Sequence, residues 1–178
     1  KLMVEKALSI LLAPGQVTEL RALNVSTPDH RYPHTVYGYF DDHAKLIQAA
    51  VNVSNYAAAV YFTPNPVDSA LLARAANHTK VAGRDDATVD ANVTSRRWLL
   101  VDADPVRPSG ISSSDAEHEA ALVRVRTIRD ALTEDGWPAP LVADSGNGAH
   151  LLYPISLARE DEGLVKACLE ALSFRFGD

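Results

Sequence analysis

Asp102 and Asp104 are separated by one residue and follow an apolar run from Trp98 to Val101. In an extended chain, residues i and i+2 face the same side. The segment WLLVDAD (98–104) therefore sets two carboxylates side by side. Two ionised carboxylates this close repel each other, and one pKa rises unless a cation sits between them. Mg²⁺ and Mn²⁺ suit the pair, since both favour hard oxygen ligands. A structural role competes with this: Asp104-Pro105 can begin a turn while Asp102 pairs with Arg97 or Arg107.

A second stretch, DSGNGAHLLY (144–153), places His150 just after a glycine-rich loop. Gly146 and Gly148 permit positive φ and close backbone approach, and the Ser145 hydroxyl with loop amides can form an anion nest. Asn147-Gly148 is equally a common hairpin turn, with His150 an ordinary strand residue. The loop is not a Walker-type phosphate loop, because it lacks the lysine and leads into a strand. The other histidines, His30, His34, His43, His78 and His118, show no HxxxH spacing, which argues against zinc. There is no GxSxG elbow for a serine nucleophile. Cys168 sits in a helical apolar pattern and reads as core, and the tyrosines at 32, 37, 39, 56 and 61 read as packing residues rather than base-stacking ones.

The elements around these residues follow from periodicity. A helix over 2–12 stops at Pro14-Gly15, and strands are expected at 16–23, 35–40 and 57–62. Asp41 or Asp42 caps a helix through HAKLIQAAVNV, and another helix runs from about Asp68 to Asn77. A long polar loop covers 78–95. The run 96–105 reads as a central strand covered on both faces, because Trp98–Val101 does not alternate. Residues 112–136 form the clearest helix, with a Ser114/Glu117 capping box and Leu122, Val125, Ile128 and Leu132 along one face. Strands at 140–144 and 149–155 bracket the glycine loop, and a last helix occupies about 160–174. This alternation is α/β or α+β, and the run of strand, helix, hairpin and helix resembles half of a ferredoxin-like or RNA-recognition-type lobe.

Composition narrows the function classes. Hydrophobic residues make up 47% and charged residues 22%, an ordinary globular balance with no disorder bias. No apolar run is long enough to span a membrane. One cysteine excludes an internal disulfide framework and a cysteine zinc cluster, which points to a cytoplasmic protein. The net charge of −6 argues against coating nucleic acid through bulk charge, while leaving a local grip open. The first residue is Lys1, so an excised piece of a longer chain is expected.

The pair WLLVDADPVRP (98–108) and DSGNGAHLLYPI (144–155), in that order, resembles the archaeo-eukaryotic primase superfamily. The likeness is to its primase-polymerase branch from prokaryotic mobile elements. GISSSDAEHEAAL (110–122) and VYFTPNP (60–66) also look like that branch, and the resemblance spans about 35–176. It implies one α+β domain over 1–178, a small N-terminal α/β lobe (about 1–95) beside the RNA-recognition-like lobe (about 96–178). It also implies that Asp102 and Asp104 ligate two catalytic Mg²⁺ or Mn²⁺ ions and that His150 contacts phosphates of an incoming (d)NTP. Ser145, Gly146, Asn147 and Gly148 would shape the same nucleotide pocket, with Arg97, Lys80 and Arg84 as further basic candidates. The implied partners are a DNA template, nucleoside triphosphates and a helicase domain elsewhere in the protein. The superfamily carries a third acidic motif on a strand after the last helix. This chain stops at RFGD (175–178), so that ligand is expected from further sequence, and the fragment alone is expected to bind metal poorly. A non-catalytic nucleotide- or nucleic-acid-binding module on the same fold is therefore the alternative. A replication initiator of the HUH type needs an HxH pair, which the chain lacks.

Overall fold

The computed structural model describes residues 2–83, 86–105 and 111–177. It mixes helix and sheet and divides into two units, Lys1–Arg96 and Arg97–Asp178. Arg84, Arg107 and Asp178, all named above, lie outside the described residues, as does the segment 106–110.

In the first unit, α1 (Leu2–Leu11), β1 (Thr18–Val25), β2 (His34–Phe40), α2 (His43–Ser54), β3 (Ala59–Phe62) and β4 (Lys80–Val81) follow in order. The strands form one antiparallel sheet in the order β3-β1-β2-β4. Asp42 caps α2 by accepting from the Ala44 and Lys45 amides at 3.0 and 3.2 Å, satisfying donors that an uncapped first turn leaves orphaned. Leu8, Leu12, Leu46 and Ala50 pack on Leu20 and Phe40, so both helices cover one sheet face. On the other face Tyr37 and Tyr39 lie under Val67, Leu71 and Ala75. Both tyrosines are fully buried, in keeping with packing. The buried carboxylate of Glu19 is held by Arg21 at 2.6 Å and accepts from the Thr88 amide at 3.3 Å.

Gly38 is the tightest point of this sheet. A Cβ there would stand 2.0 Å from the backbone carbonyl oxygen of His78, which no side-chain rotation can relieve. Gly38→Ala is expected to lower stability by about 3 kcal/mol or more, the upper range for overpacking a tight site. Denaturant titration of the variant against the parent protein checks this.

In the second unit, β5 (Ser95–Ala103), whose first two residues belong to the first, is followed by α3 (Asp115–Glu134), β6 (Leu141–Asp144), β7 (Ala149–Ala158) and α4 (Leu164–Phe176). The sheet order is β5-β7-β6. The expected capping box opens α3: the Ser114 amide donates to Glu117 Oε2 at 2.8 Å and the Glu117 amide to Ser114 Oγ at 3.3 Å. Val125, Ile128 and Leu132 of α3 pack on Leu99, Val101, Leu151 and Tyr153, joined by Leu172 of α4 with Cys168 beside it. Both helices thus cover the sheet face that carries Leu99 and Val101. Trp137 meets Tyr153 edge-on, with ring centres 5.0 Å apart.

Four expectations change. β5 is an edge strand among the described residues rather than a central one, and β7 takes the middle. Its apolar run conceals an alternation: Leu99 and Val101 are buried, whereas Leu100 is 45% exposed. The segment after Asp68 forms a 3-10 helix, Ser69–Arg74, rather than a longer helix to Asn77. The polar stretch 78–95 contains the short strand β4 and a 3-10 turn, Asp90–Asn92. The final helix starts at Leu164, because Asp161 receives the Gly163 and Val165 amides and Gly163 takes φ +83°. No helix among the described residues is long and apolar enough to cross a membrane.

Candidate functional site

The second unit gathers the chemistry-bearing residues at one end of its three-stranded sheet. With Leu99 and Val101 turned to the helices, alternation turns Asp102 and then Asp104 to the opposite face. Asp102 lies beside His150 of β7: Asp102 Oδ1 and His150 Nε2 are 3.2 Å apart. Asp104 lies beside Gly148, where a Cβ would stand 2.3 Å from Asp104 Oδ1 and 2.5 Å from the Ala103 carbonyl oxygen. Numbering therefore rises along β5 as it falls along β7, the antiparallel sense. Asp102, Asp104 and His150 thus lie at one end of the β5–β7 pair. The imidazole, rather than Arg97, is the partner of Asp102 shown at ion-pair distance.

The loop that carries Gly148 is built from its own polar groups. β6 and β7 pair in the register Asp144↔Ala149, which leaves a four-residue connection, 145–148. Ser145 N donates to the Gly148 carbonyl at 3.0 Å. The hairpin reading holds, but the positive φ falls at Gly146 (+81°) and not within Asn147-Gly148. Gly148 is required instead by its contact with Asp104. The Gly146 amide donates to Asp144 Oδ1 at 2.7 Å and the Gly148 amide to Ser145 Oγ at 2.9 Å. These amides are thus turned toward the chain's own oxygens, and a phosphate at this loop has to compete with those contacts.

Two residues outside the expected set join the loop. Asp144 Oδ1 also meets His118 Nε2 of α3 at 2.8 Å, and since a carboxylate only accepts, Nε2 carries the proton. Just ahead of α3, Ser113 donates to Asn147 Oδ1 from its amide at 3.0 Å and from its hydroxyl at 3.3 Å. The Gly146 amide and, after it, the His118 imidazole hold the Asp144 carboxyl below the usual carboxylate range. A carboxyl with a depressed folded-state pKa stabilises the fold above its unfolded value, about 3.9 for Asp. That contribution is lost as pH falls through the lower folded value. Asp144→Asn is accordingly expected to flatten the fall of stability below about pH 4, as measured by denaturant midpoints between pH 3 and 6.

The two carboxylates offer hard oxygen donors, the chemistry that Mg²⁺ or Mn²⁺ takes. Among the described residues, no group of three or more His, Cys, Asp or Glu side chains is arranged to hold a metal ion. Asp102 and Asp104 by themselves are short of a complete cage. Both aspartates also border a groove of about 730 Å³ alongside β5, lined with Ala121, Ile128, Leu169 and Leu172 of the two helices.

The basic candidates stand differently. Arg97 has the parity of Leu99 and Val101, on the sheet face opposite to Asp102. It lies five residues upstream, about 16 Å along a strand, so the structure does not bring it to the carboxylates. Lys80 belongs to the first unit, where its ammonium lies 5.4 Å from the centre of the Tyr37 ring.

No family model, curated protein or solved structure matches this chain.

Proposed function

We propose that the chain is a primase-polymerase-type domain, performing template-directed nucleotidyl transfer from (d)NTPs with Mg²⁺ or Mn²⁺ on a DNA template. The observation that carries this reading is the convergence of Asp102, Asp104 and His150, with His150 Nε2 3.2 Å from Asp102. The topology supports it: β5-α3-β6-β7-α4 with the order β5-β7-β6 is the arrangement that three strands and two helices of a ferredoxin-like lobe adopt. A fourth strand completing such a lobe would lie along the outer edge of β5, beside Asp102 and Asp104. The third acidic ligand expected from the resemblance belongs there.

In this reading Asp102 and Asp104 would hold the cations; Mg²⁺ commonly binds through one or two carboxylates plus substrate phosphates. His150, beside Asp102, would supply the contact to a phosphate oxygen. When bound, the cations stabilise the attacking 3′-hydroxyl oxygen and the leaving pyrophosphate oxygen of the in-line displacement. The chain's contribution is positioning, since phosphoryl chemistry needs little else from protein groups.

The test is extension of a labelled primer on a DNA template by a protein whose chain continues past Asp178, with dNTPs and NTPs supplied separately and Mg²⁺ or Mn²⁺ present. Metal-dependent extension is expected; none with either nucleotide and either ion would contradict the catalytic reading. The second reading, a nucleotide-binding module without catalysis, is favoured by the lack of a three-residue metal group among the described residues. It predicts (d)NTP binding without incorporation.

A further inference from the structure

The four residues 145–148 contribute no apolar side chain to the hydrophobic core, so their placement depends on polar contacts. Within the loop, Ser145 and Asp144 tie the Gly146 and Gly148 amides. Those bonds fix the local turn, but they do not fix where the turn stands relative to α3. Two external contacts do that: Ser113 grips the tip at Asn147, and His118 grips the base at Asp144.

His118 stands one turn before Ala121 on the sheet-facing stripe of α3, where it meets a polar partner, Asp144, instead of the apolar core. The face of α3 that meets the sheet is supplied by Ala121, Val125, Ile128 and Leu132. His118 is partly exposed, at 27% of its side chain, and its Nε2 is directed to a carboxylate that already serves the loop. Asp144 pairs with Ala149, one residue before His150, and four residues after Asp144 comes Gly148, which abuts Asp104. A displacement of the loop base is therefore passed to both sides of the candidate site.

We infer that His118 is a positioning residue: through Asp144 it clamps the 145–148 loop, holding Gly148 against Asp104 and setting the start of β7 at His150. The inference rests on the reading of Asp102, Asp104 and His150 as a metal–nucleotide site. His118 itself touches neither Asp102 nor Asp104 nor substrate. A side-chain amide can replace the Nε2–H as a donor, whereas a methyl group cannot.

The experiment compares the parent protein with His118→Ala and His118→Gln in two measurements: hydrogen exchange of the Gly146 amide, and the affinity for dATP in the presence of Mn²⁺. For His118→Ala, faster Gly146 exchange and about tenfold weaker dATP binding are expected, the usual scale for a hydrogen bond to a charged group. His118→Gln is expected to restore both while sharing the melting temperature of the alanine variant, a pattern that a purely structural role does not produce. Unchanged affinity and exchange in His118→Ala overturn the inference. Should that variant not fold, Asp144→Ala removes the acceptor that His118 and the Gly146 amide share; affinity equal to that of the parent then overturns it. If the parent protein binds no dATP with Mn²⁺, the site reading itself falls, and the inference with it. Loss confined to His118→Ala separates the two failures.

Discussion

Replacing either Asp102 or Asp104 by alanine is expected to lower nucleotide incorporation by at least about a thousandfold, since even a single donor to a developing charge can be worth that much. The substituted carboxylates are on the face away from Leu99 and Val101, and Asp102 has about half of its side chain exposed. Neither side chain fills the core formed with α3 and α4. Folding should therefore survive, with melting temperatures close to the parent value. The two variants need not behave alike in other respects. Asp102→Ala also leaves the His150 imidazole without its carboxylate neighbour. Asp104→Ala removes the group against which Gly148 packs, without touching the imidazole. Loss of incorporation together with loss of fold would mean that the pair is structural.

The second large effect concerns Gly148. A methyl group there meets Asp104 Oδ1 at 2.3 Å and the Ala103 carbonyl at 2.5 Å. The carboxylate can rotate away, but the backbone carbonyl cannot. Gly148→Ala should cost about 1–3 kcal/mol of stability by overpacking and weaken metal-dependent nucleotide binding at the same time, because it displaces Asp104. Gly146→Ala is the informative contrast. Gly146 has open space around its would-be Cβ but sits at φ +81°, so alanine there should cost about 1–2 kcal/mol from left-handed strain alone. It leaves Asp104 where it is. Denaturant midpoints and dATP affinity, taken for both variants, separate loop strain from damage to the site.

The contrast between these glycines shows what the sequence carried and what it did not. The alternation rule placed Asp102 and Asp104 on one face, because it depends on neighbours within a few residues, whereas only the family resemblance associated His150, 48 residues away on another strand, with them. The Ser114/Glu117 box and the Asp42 cap were legible for the same reason, each being a local side-chain-to-amide contact. The edge position of β5 was not legible. Trp98–Val101 looks like a strand buried on both faces, and only strand order, a non-local property, exposes Leu100. The assignment of roles within SGNG also depended on a partner strand: Gly148 is needed by Asp104, while Gly146 makes the turn. His118 shows no ligand spacing in the sequence, yet it meets an aspartate on another element. No periodicity connects those two residues; their contact exists because α3 crosses the sheet face near the end of β6.

The central claim is that Asp102 and Asp104 bind a divalent cation together with a nucleoside triphosphate. Its most direct test is Mn²⁺ binding followed by electron paramagnetic resonance, with and without dATP, in the parent protein, Asp102→Asn and Asp104→Asn. These substitutions keep the side-chain shape and remove the charge. The account predicts Mn²⁺ binding that strengthens when dATP is present and is lost in both variants while they remain folded. Equal Mn²⁺ and dATP binding by all three proteins would contradict it.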